Sequence, residues 1–308
     1  MTYTITVVPA STQVGRETVR ALLNDGSNSI VRGIYRDPTK APPEFTASPN
    51  FTAVQGDVSA SPLDFTGSDA VFYIPPPPFH SGDVDLIEFA TNAANNIKDA
   101  IEKAGSVKRL LVFSAVGAEN DHGIGILKIN HISDKILQTA APEVAIVRPG
   151  YFAENWAAAF ETAKAEPPVL YSPMTPVGHK VPMVSLVDIR ETCARILLDL
   201  ANPLPRRTHA FELYGPRHYS TEDVREAVEE ITGKKVGIVA IKVDQLAGFY
   251  AQEGPRAWCL RWWSSRLLGC RAGLWKASLA GMRIRFGAES SWLMRCDKST
   301  RRDGCNGF

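Results

Sequence analysis

The sequence contains no apolar run of the roughly 18–20 residues that a membrane-crossing helix needs, so nothing in it predicts a bilayer span. Its first residues, Met1-Thr2-Tyr3-Thr4-Ile5, lack the basic-then-apolar order of a secretory signal. The five cysteines include no CxxC pair, so the common zinc and dithiol spacings are absent and no metal site is expected. An odd cysteine count without a signal points to reduced thiols and a cytoplasmic setting. The net charge is only +1, and 44% apolar with 22% charged residues is ordinary globular usage. That excludes a disordered, collagen-like or disulfide-scaffold chain. With 308 residues the chain can bury a core as one large domain or two modest ones.

Acidic residues nearly vanish from the last stretch. Residues 255–308 hold eleven of the 34 Lys/Arg and three of the 33 Asp/Glu, a net +8, whereas residues 1–254 carry −7. The same stretch has five of the six Trp and four of the five Cys. Trp258-Cys259-Leu260-Arg261-Trp262-Trp263 shows neither a helical stripe nor strand alternation. The joint change predicts a tail from a shifted reading frame or a retained intron, not selected to pack. The rival is a basic aromatic segment, since Arg and Trp suit phosphates and stacked bases. Nucleic acid is the less favoured partner.

Before the tail, apolar runs alternate with helical stripes. Thr4–Val8, Ser29–Tyr35, Phe51–Asp57, Asp69–Ile74, Lys108–Ser114 and Val144–Pro149 read as strands. Helices are predicted over Arg16–Leu23, Asp85–Ala104, Lys128–Gln138 and Leu186–Leu200. Ser220 and Thr221 are candidate N-caps for a further helix that ends before Gly233. Most strands are continuous apolar runs, as in a parallel sheet covered on both faces. The expectation is an α/β, doubly wound parallel sheet with its ligand at the carboxyl ends of the strands. Residues 1–150 form the cofactor domain. Residues 151–254, broken by Pro167-Pro168, Pro173, Pro176 and Pro182, form a smaller substrate lobe that partly contributes to the sheet.

Glycine is scarce where a nucleotide turn usually concentrates it. A strand, a tight turn and a helix present free N–H groups and a helix dipole to phosphate. Here the turn is Pro9-Ala10-Ser11-Thr12-Gln13-Val14-Gly15, and only Gly15 remains of a GxxGxxG spacing. The alternative is a plain strand-to-helix turn. At the end of the second strand stands Arg36, with Lys40 near. A basic residue there accommodates the 2′-phosphate of NADP, where an acidic one would hydrogen-bond the ribose of NAD. A solvated surface charge is the other reading; taken with the first turn, NADP is favoured. Asp57 can accept from an adenine amine or cap its own turn.

Several motifs then line up in order from residue 4 to about 250. They include Val14-Gly15-Arg16, Tyr35-Arg36-Asp37-Pro38, Gln55-Gly56-Asp57-Val58 and Phe113-Ser114-Ala115-Val116-Gly117-Ala118. They continue with Val147-Arg148-Pro149-Gly150-Tyr151-Phe152, Pro182-Met183-Val184-Ser185 and Phe211-Glu212-Leu213-Tyr214-Gly215-Pro216. The chain resembles NmrA-like members of the atypical short-chain dehydrogenase/reductases. The resemblance implies a Rossmann domain binding NADP(H), with a smaller lobe over the nicotinamide. It implies Ser11, Thr12, Gln13 and Val14 at the pyrophosphate, Arg36 to Lys40 at the adenosine phosphate, and Gly56 and Asp57 at the adenine. Pro75, Pro76 and Pro77 would line the fourth strand's edge, and Tyr151 to Asn155 the nicotinamide side. Pro9 and Thr12 stand where the family commonly has glycine.

One signature of the larger group is missing. No Tyr-x-x-x-Lys occurs, and the residue four before Lys128 is Ile124, which cannot donate a proton. Three substitutes remain open: Lys128, His131, and His131 with Lys135 at the same four-residue spacing. Ser114 can polarise a carbonyl or merely satisfy a strand end. The expected function is NADP(H)-dependent reduction of a small-molecule carbonyl, imine or enone. The alternative is a non-catalytic NADP(H) sensor that acts on a protein partner.

Overall fold

The computed structural model describes residues 2–60, 62–76, 85–157 and 162–245. The expectations placed on Pro77 and on residues 255–308 lie outside them. The apolar runs fold as strands where the sequence puts them: β1 Thr4–Val8, β2 Ile30–Tyr35, β3 Phe51–Gln55, β4 Ala70–Tyr73, β5 Arg109–Phe113 and β6 Glu143–Pro149. After β7 (Tyr151–Phe152), β8 (Val169–Ser172) and β9 (Val181–Val184), β10 (Thr208–Leu213) returns to the same sheet. The seven strands run in the order β10-β6-β5-β4-β1-β2-β3, and every pairing is parallel. Thr-His-Ala-Phe-Glu-Leu lacks the apolar run of an inner strand because β10 lies at the edge, with residues half-buried or exposed.

Neighbouring strand residues point to opposite faces, so each strand feeds two cores. Val7, Phe72 and Leu111 meet α1 (Gln13–Asn24) and, beyond the short α2 (Pro43–Thr46), a later helix, α5 (Leu186–Leu198). Val8, Val71 and Leu110 meet α3 (Leu86–Ala104) and α4 (Lys128–Leu137). Each fully buried aliphatic or aromatic side chain contributes roughly 1.5–3 kcal/mol against exposure. The sheet is held mainly by these two layers.

Helix α1 starts earlier than its apolar stripe suggests. The Thr12 hydroxyl accepts from the Gly15 N–H at 3.0 Å and donates to the Pro9 carbonyl at 3.2 Å. This cap draws Gln13, Val14 and Gly15 into the helix and shortens the turn to Pro9–Thr12. At its far end α3 stops at Gly105, whose left-handed backbone lets its N–H reach the Ile101 carbonyl.

The remaining residues form a lobe with its own core, including Tyr151, Trp156, Leu170, Met183 and Tyr219. It contains β11 (His218–Tyr219), α6 (Thr221–Thr232) and β12 (Gly237–Ala240). The strands form a β11-β9-β7 sheet and a β12-β8 pair. Ser220 caps α6 reciprocally with Asp223. The chain leaves the large sheet at Gly150 and departs again at Gly215. The Gly150 N–H donates to Leu213 at 3.0 Å, and the Gly215 N–H donates to Met183 at 2.7 Å. A side chain on Gly150 would begin 2.6 Å from the Pro182 carbonyl oxygen, so the crossing requires glycine.

The amino edge of the sheet is closed by one side chain. Arg109, 1% exposed, donates Nε to Glu143 at 2.8 Å and Nη1 to the Ile196 and Asp199 carbonyls at 2.9 and 2.8 Å. Its Nη2 reaches Glu143 and, at 2.7 Å, the Asn202 carbonyl. The other Glu143 oxygen accepts from the Leu204 N–H at 3.0 Å. Arg109 thereby satisfies carbonyls at the end of α5 and locks the chain beyond it to β5 and β6.

Candidate functional site

Strands β1 and β4 lie side by side, yet the chain between them runs outward through β2 and β3. That reversal opens a crevice beyond their carboxyl ends, where α/β sheets of this kind bind ligands. The Ile74 N–H, donated to Val8 at 2.9 Å, holds the two strand ends together beneath it.

Helix α1 points its N-terminus into the crevice. Gln13 and Val14 occupy its first two positions, where helix geometry provides no internal acceptor for their N–H groups. Ser11 is exposed beside them. The helix comes close to β1 because residue 15 has no side chain: a Cβ there would sit 2.6 Å from the Pro9 carbonyl oxygen. Thr12 does not project into the crevice. Its hydroxyl is turned inward onto Gly15, so it uses one helix donor that glycine would leave free. Two N–H groups and the dipole remain, which suits a diphosphate.

The second strand's end supplies cations. Arg36 and Lys40 are both exposed, and neither forms a salt bridge among the described residues. Between them Asp37 is occupied locally, accepting from the Thr39 hydroxyl and N–H at 2.6 and 3.1 Å. Those bonds hold its carboxyl below the usual range. Arg16, on the first turn of α1, was not anticipated as a site residue, and it too forms no salt bridge among the described residues. Glu44 feels its charge but bonds Arg20 at 2.9 Å, one turn further away. Tyr35 is buried beneath these groups, and burial pushes its phenol up to about 12.

Gly56 and Asp57 follow β3. The Gly56 N–H donates to Tyr35 at 2.8 Å. One Asp57 oxygen accepts from the Ser59 N–H and hydroxyl at 2.9 and 2.8 Å, capping the turn that follows. Pro75 is buried and Pro76 half-buried at the end of β4. Tyr151 is 9% exposed, with its ring edge-on to Trp156 at 6.3 Å, while Asn155 is exposed. Between them Glu154 accepts from the Leu186 N–H at 2.8 Å, fixing this turn to the start of α5.

The candidate proton donors separate clearly. The Ser114 hydroxyl donates to buried Asp134 at 2.9 Å, so its proton is turned away from the crevice. Arg148 reaches the same Asp134 oxygen at 3.0 Å. Burial pushes the Asp134 carboxyl up, against the opposing pull of Arg148 and Ser114. The sequence offered one signal for this pair, the polar residues inside otherwise apolar patterns. His131 is buried with Nδ1 2.9 Å from the Ala118 carbonyl. A carbonyl only accepts, so Nδ1 carries a proton and donates it there. Lys135, one turn further along α4, is exposed while His131 is buried. Lys128 is half-buried and donates Nζ to the Asp121 carbonyl at 2.7 Å. It lines a cleft of about 390 Å³ with Asp121, Ile124, Leu86 and Ile87.

A larger groove of about 640 Å³ lies between α1 and α5, away from the carboxyl edge. Two of its three arginines, Arg20 and Arg190, pair with Glu17. Among the described residues no cluster of His, Cys, Asp and Glu could hold a metal, and no helix is long and apolar enough to cross a membrane.

The profile of the NmrA-like family matches residues 1–252. A search of curated protein sequences returned no significant match. Solved structures share the fold at low identity. Triphenylmethane reductase of Citrobacter sp., complexed with NADP(H), is 17% identical with a TM-score of 0.68, covering 88% of this chain and 92% of its own. An NADPH-dependent quinone oxidoreductase of Escherichia coli, complexed with NADPH, is 19% identical at 0.67, covering 85% and 88%. NmrA, a negative transcriptional regulator in complex with NADP, is 19% identical at 0.61, covering 77% and 74%.

Proposed function

This chain belongs to the NmrA-like family, and from that premise we propose that it binds NADP(H) and reduces a small carbonyl, imine or enone. The observation that carries the reading is the carboxyl edge itself. A helix N-terminus with unspent N–H groups faces the crevice, and Arg36 and Lys40 stand exposed beside it, without a salt bridge among the described residues. The Gln13 and Val14 N–H groups would hold the pyrophosphate, with Ser11 alongside. Arg36 and Lys40 would take the adenosine 2′-phosphate, which an uncommitted cation favours and NADH lacks. Tyr151 and Asn155 would border the nicotinamide. The bound cofactor supplies the hydride. Lys128 would supply the proton from its Nζ, as it lines a cleft with the start of α3. Calorimetric titration with NADPH and NADH, followed by NADPH oxidation across a panel of carbonyls and enones, tests this. Tight NADPH binding with turnover is expected; no binding of either nucleotide removes the reading.

A second reading is a cofactor sensor that alters a protein partner. What favours it is the internal commitment of two candidate groups: the Ser114 hydroxyl donates to Asp134, and His131 bonds the Ala118 carbonyl through Nδ1. Stoichiometric NADPH binding without turnover, and a partner that distinguishes NADP⁺ from NADPH, would select it.

A further inference from the structure

Asn96 is out of place on α3. It is half-buried on a face otherwise made of Ala93, Ala94, Ile97 and Ala100. A side-chain amide at such a position costs stability unless it is bonded. Its Nδ2 donates to the Val58 carbonyl at 3.0 Å, across 38 residues of sequence. The Val58 side chain is 4% exposed and lies in the same core as Leu63 and Phe65.

The segment held in this way is the turn after β3. Gln55 pairs in register with Tyr35, so the turn stands beside Arg36 on the carboxyl edge. Its other bonds are local or come from the neighbouring strand: Gly56 to Tyr35, Ser59 to Asp57, and the Ala60 N–H to the Asp57 carbonyl at 3.1 Å. Asn96 is the polar brace that reaches it from a helix. It fixes the direction of the Val58 carbonyl, and through the peptide plane the Ser59 N–H, which donates to Asp57 at 2.9 Å.

We infer that Asn96 is a positioning residue for the adenosine half of the dinucleotide. It does not meet the ligand. It holds the Val58–Ser59 peptide, and through Ser59 the Asp57 carboxylate, in the turn against which the adenine would lie, before the ligand arrives. The inference rests on the NADP(H) reading above. Its consequence is a split: NADPH uses this turn, whereas reduced nicotinamide mononucleotide, which has no adenosine, does not.

The test titrates the full chain, wild type and with Asn96→Leu or Asn96→Asp, with NADPH and with millimolar reduced nicotinamide mononucleotide. Thermal unfolding and amide exchange at Ser59 and Ala60 are followed alongside. Asn96→Leu removes the donor; Asn96→Asp keeps the shape and sets an acceptor against the Val58 carbonyl. NADPH affinity is expected to fall about five- to tenfold in both variants. Mononucleotide affinity should stay level, and the Ser59 and Ala60 amides should exchange faster. Equal losses for both ligands, or wild-type NADPH affinity in the folded variants, would overturn the assignment while leaving the cofactor reading intact. A wild-type protein that binds neither nucleotide removes that reading and this assignment with it. If Asn96→Leu fails to fold, Asn96→Asp carries the same comparison.

Discussion

The amino edge of the seven-stranded sheet and the crevice around α1 and β2 at its carboxyl edge use charge in opposite ways. At the amino edge Arg109 spends its donors on Glu143 and three carbonyls, and Lys108 pairs with Asp69 at 2.8 Å. At the carboxyl edge Arg16, Arg36 and Lys40 form no salt bridge among the described residues. Both edges are built from the same parallel strands, so the strands do not cause the difference. A group already satisfied within the fold contributes to stability and has little left for a ligand. A group left unsatisfied costs little while water solvates it and becomes selective when a phosphate replaces the water.

The contrast is open to breaking. Arg109→Ala should have the largest effect, destabilising the protein by about 3–5 kcal/mol, because it strands Glu143 and the carbonyls at the end of α5. Urea midpoints measure it, and a shift near zero would mean the amino edge is not held by charge. Lys128→Ala should come next: turnover of any substrate found is expected to fall roughly a hundredfold or more. NADPH affinity should change little. Unchanged single-turnover rates would take the proton donor away from Lys128. Arg36→Ala should cost about 2 kcal/mol, or roughly 30-fold in NADPH affinity, with NADH binding and melting temperature level. A parallel fall in melting temperature would show that the carboxyl edge is also structural.

The smallest effect concerns two aspartates near opposite edges. Burial opposes ionisation of Asp69, but Lys108 and the Thr4 N–H outweigh it and hold its carboxyl below the usual range. Its contribution is therefore present above the unfolded value of about 3.9 and is lost as pH falls through the folded value. Asp134 is shifted the other way by burial. Its ionisation costs stability as pH rises from about 3.9 through its raised folded value. Urea midpoints across this range should show Asp69→Asn flattening the acid limb and Asp134→Asn flattening the limb above it, each by about 1 kcal/mol or less. Matching slopes in both variants would erase the contrast.

Much of this was legible in the sequence because burial writes itself as pattern. The apolar runs marked six of the parallel strands within a residue or two, and Ser220 and Gly233 marked both ends of α6. The strand β10 escaped because an edge strand buries too little to show a run. The start of α1 was misplaced because Thr12 reads as a turn residue until its hydroxyl is seen to bond Gly15. At the candidate site, residue type singled out Arg36 and Lys40, which stand exposed at the end of β2. It could not show that Ser114 and His131 are engaged inside the fold, since that depends on Asp134 and Ala118 across a tertiary contact. Asn96 left a faint trace, one amide in an alanine-rich helical face.

The chain passes between sheet and lobe three times: at Gly150, from β9 into α5, and at Gly215. Backbone bonds fasten the first and last crossings, and Glu154 ties the middle one to the lobe's first turn through the Leu186 N–H. A board nailed once can spin; nailed at three points it keeps its place. Three separate crossings leave the lobe less freedom against the sheet than a single linker would.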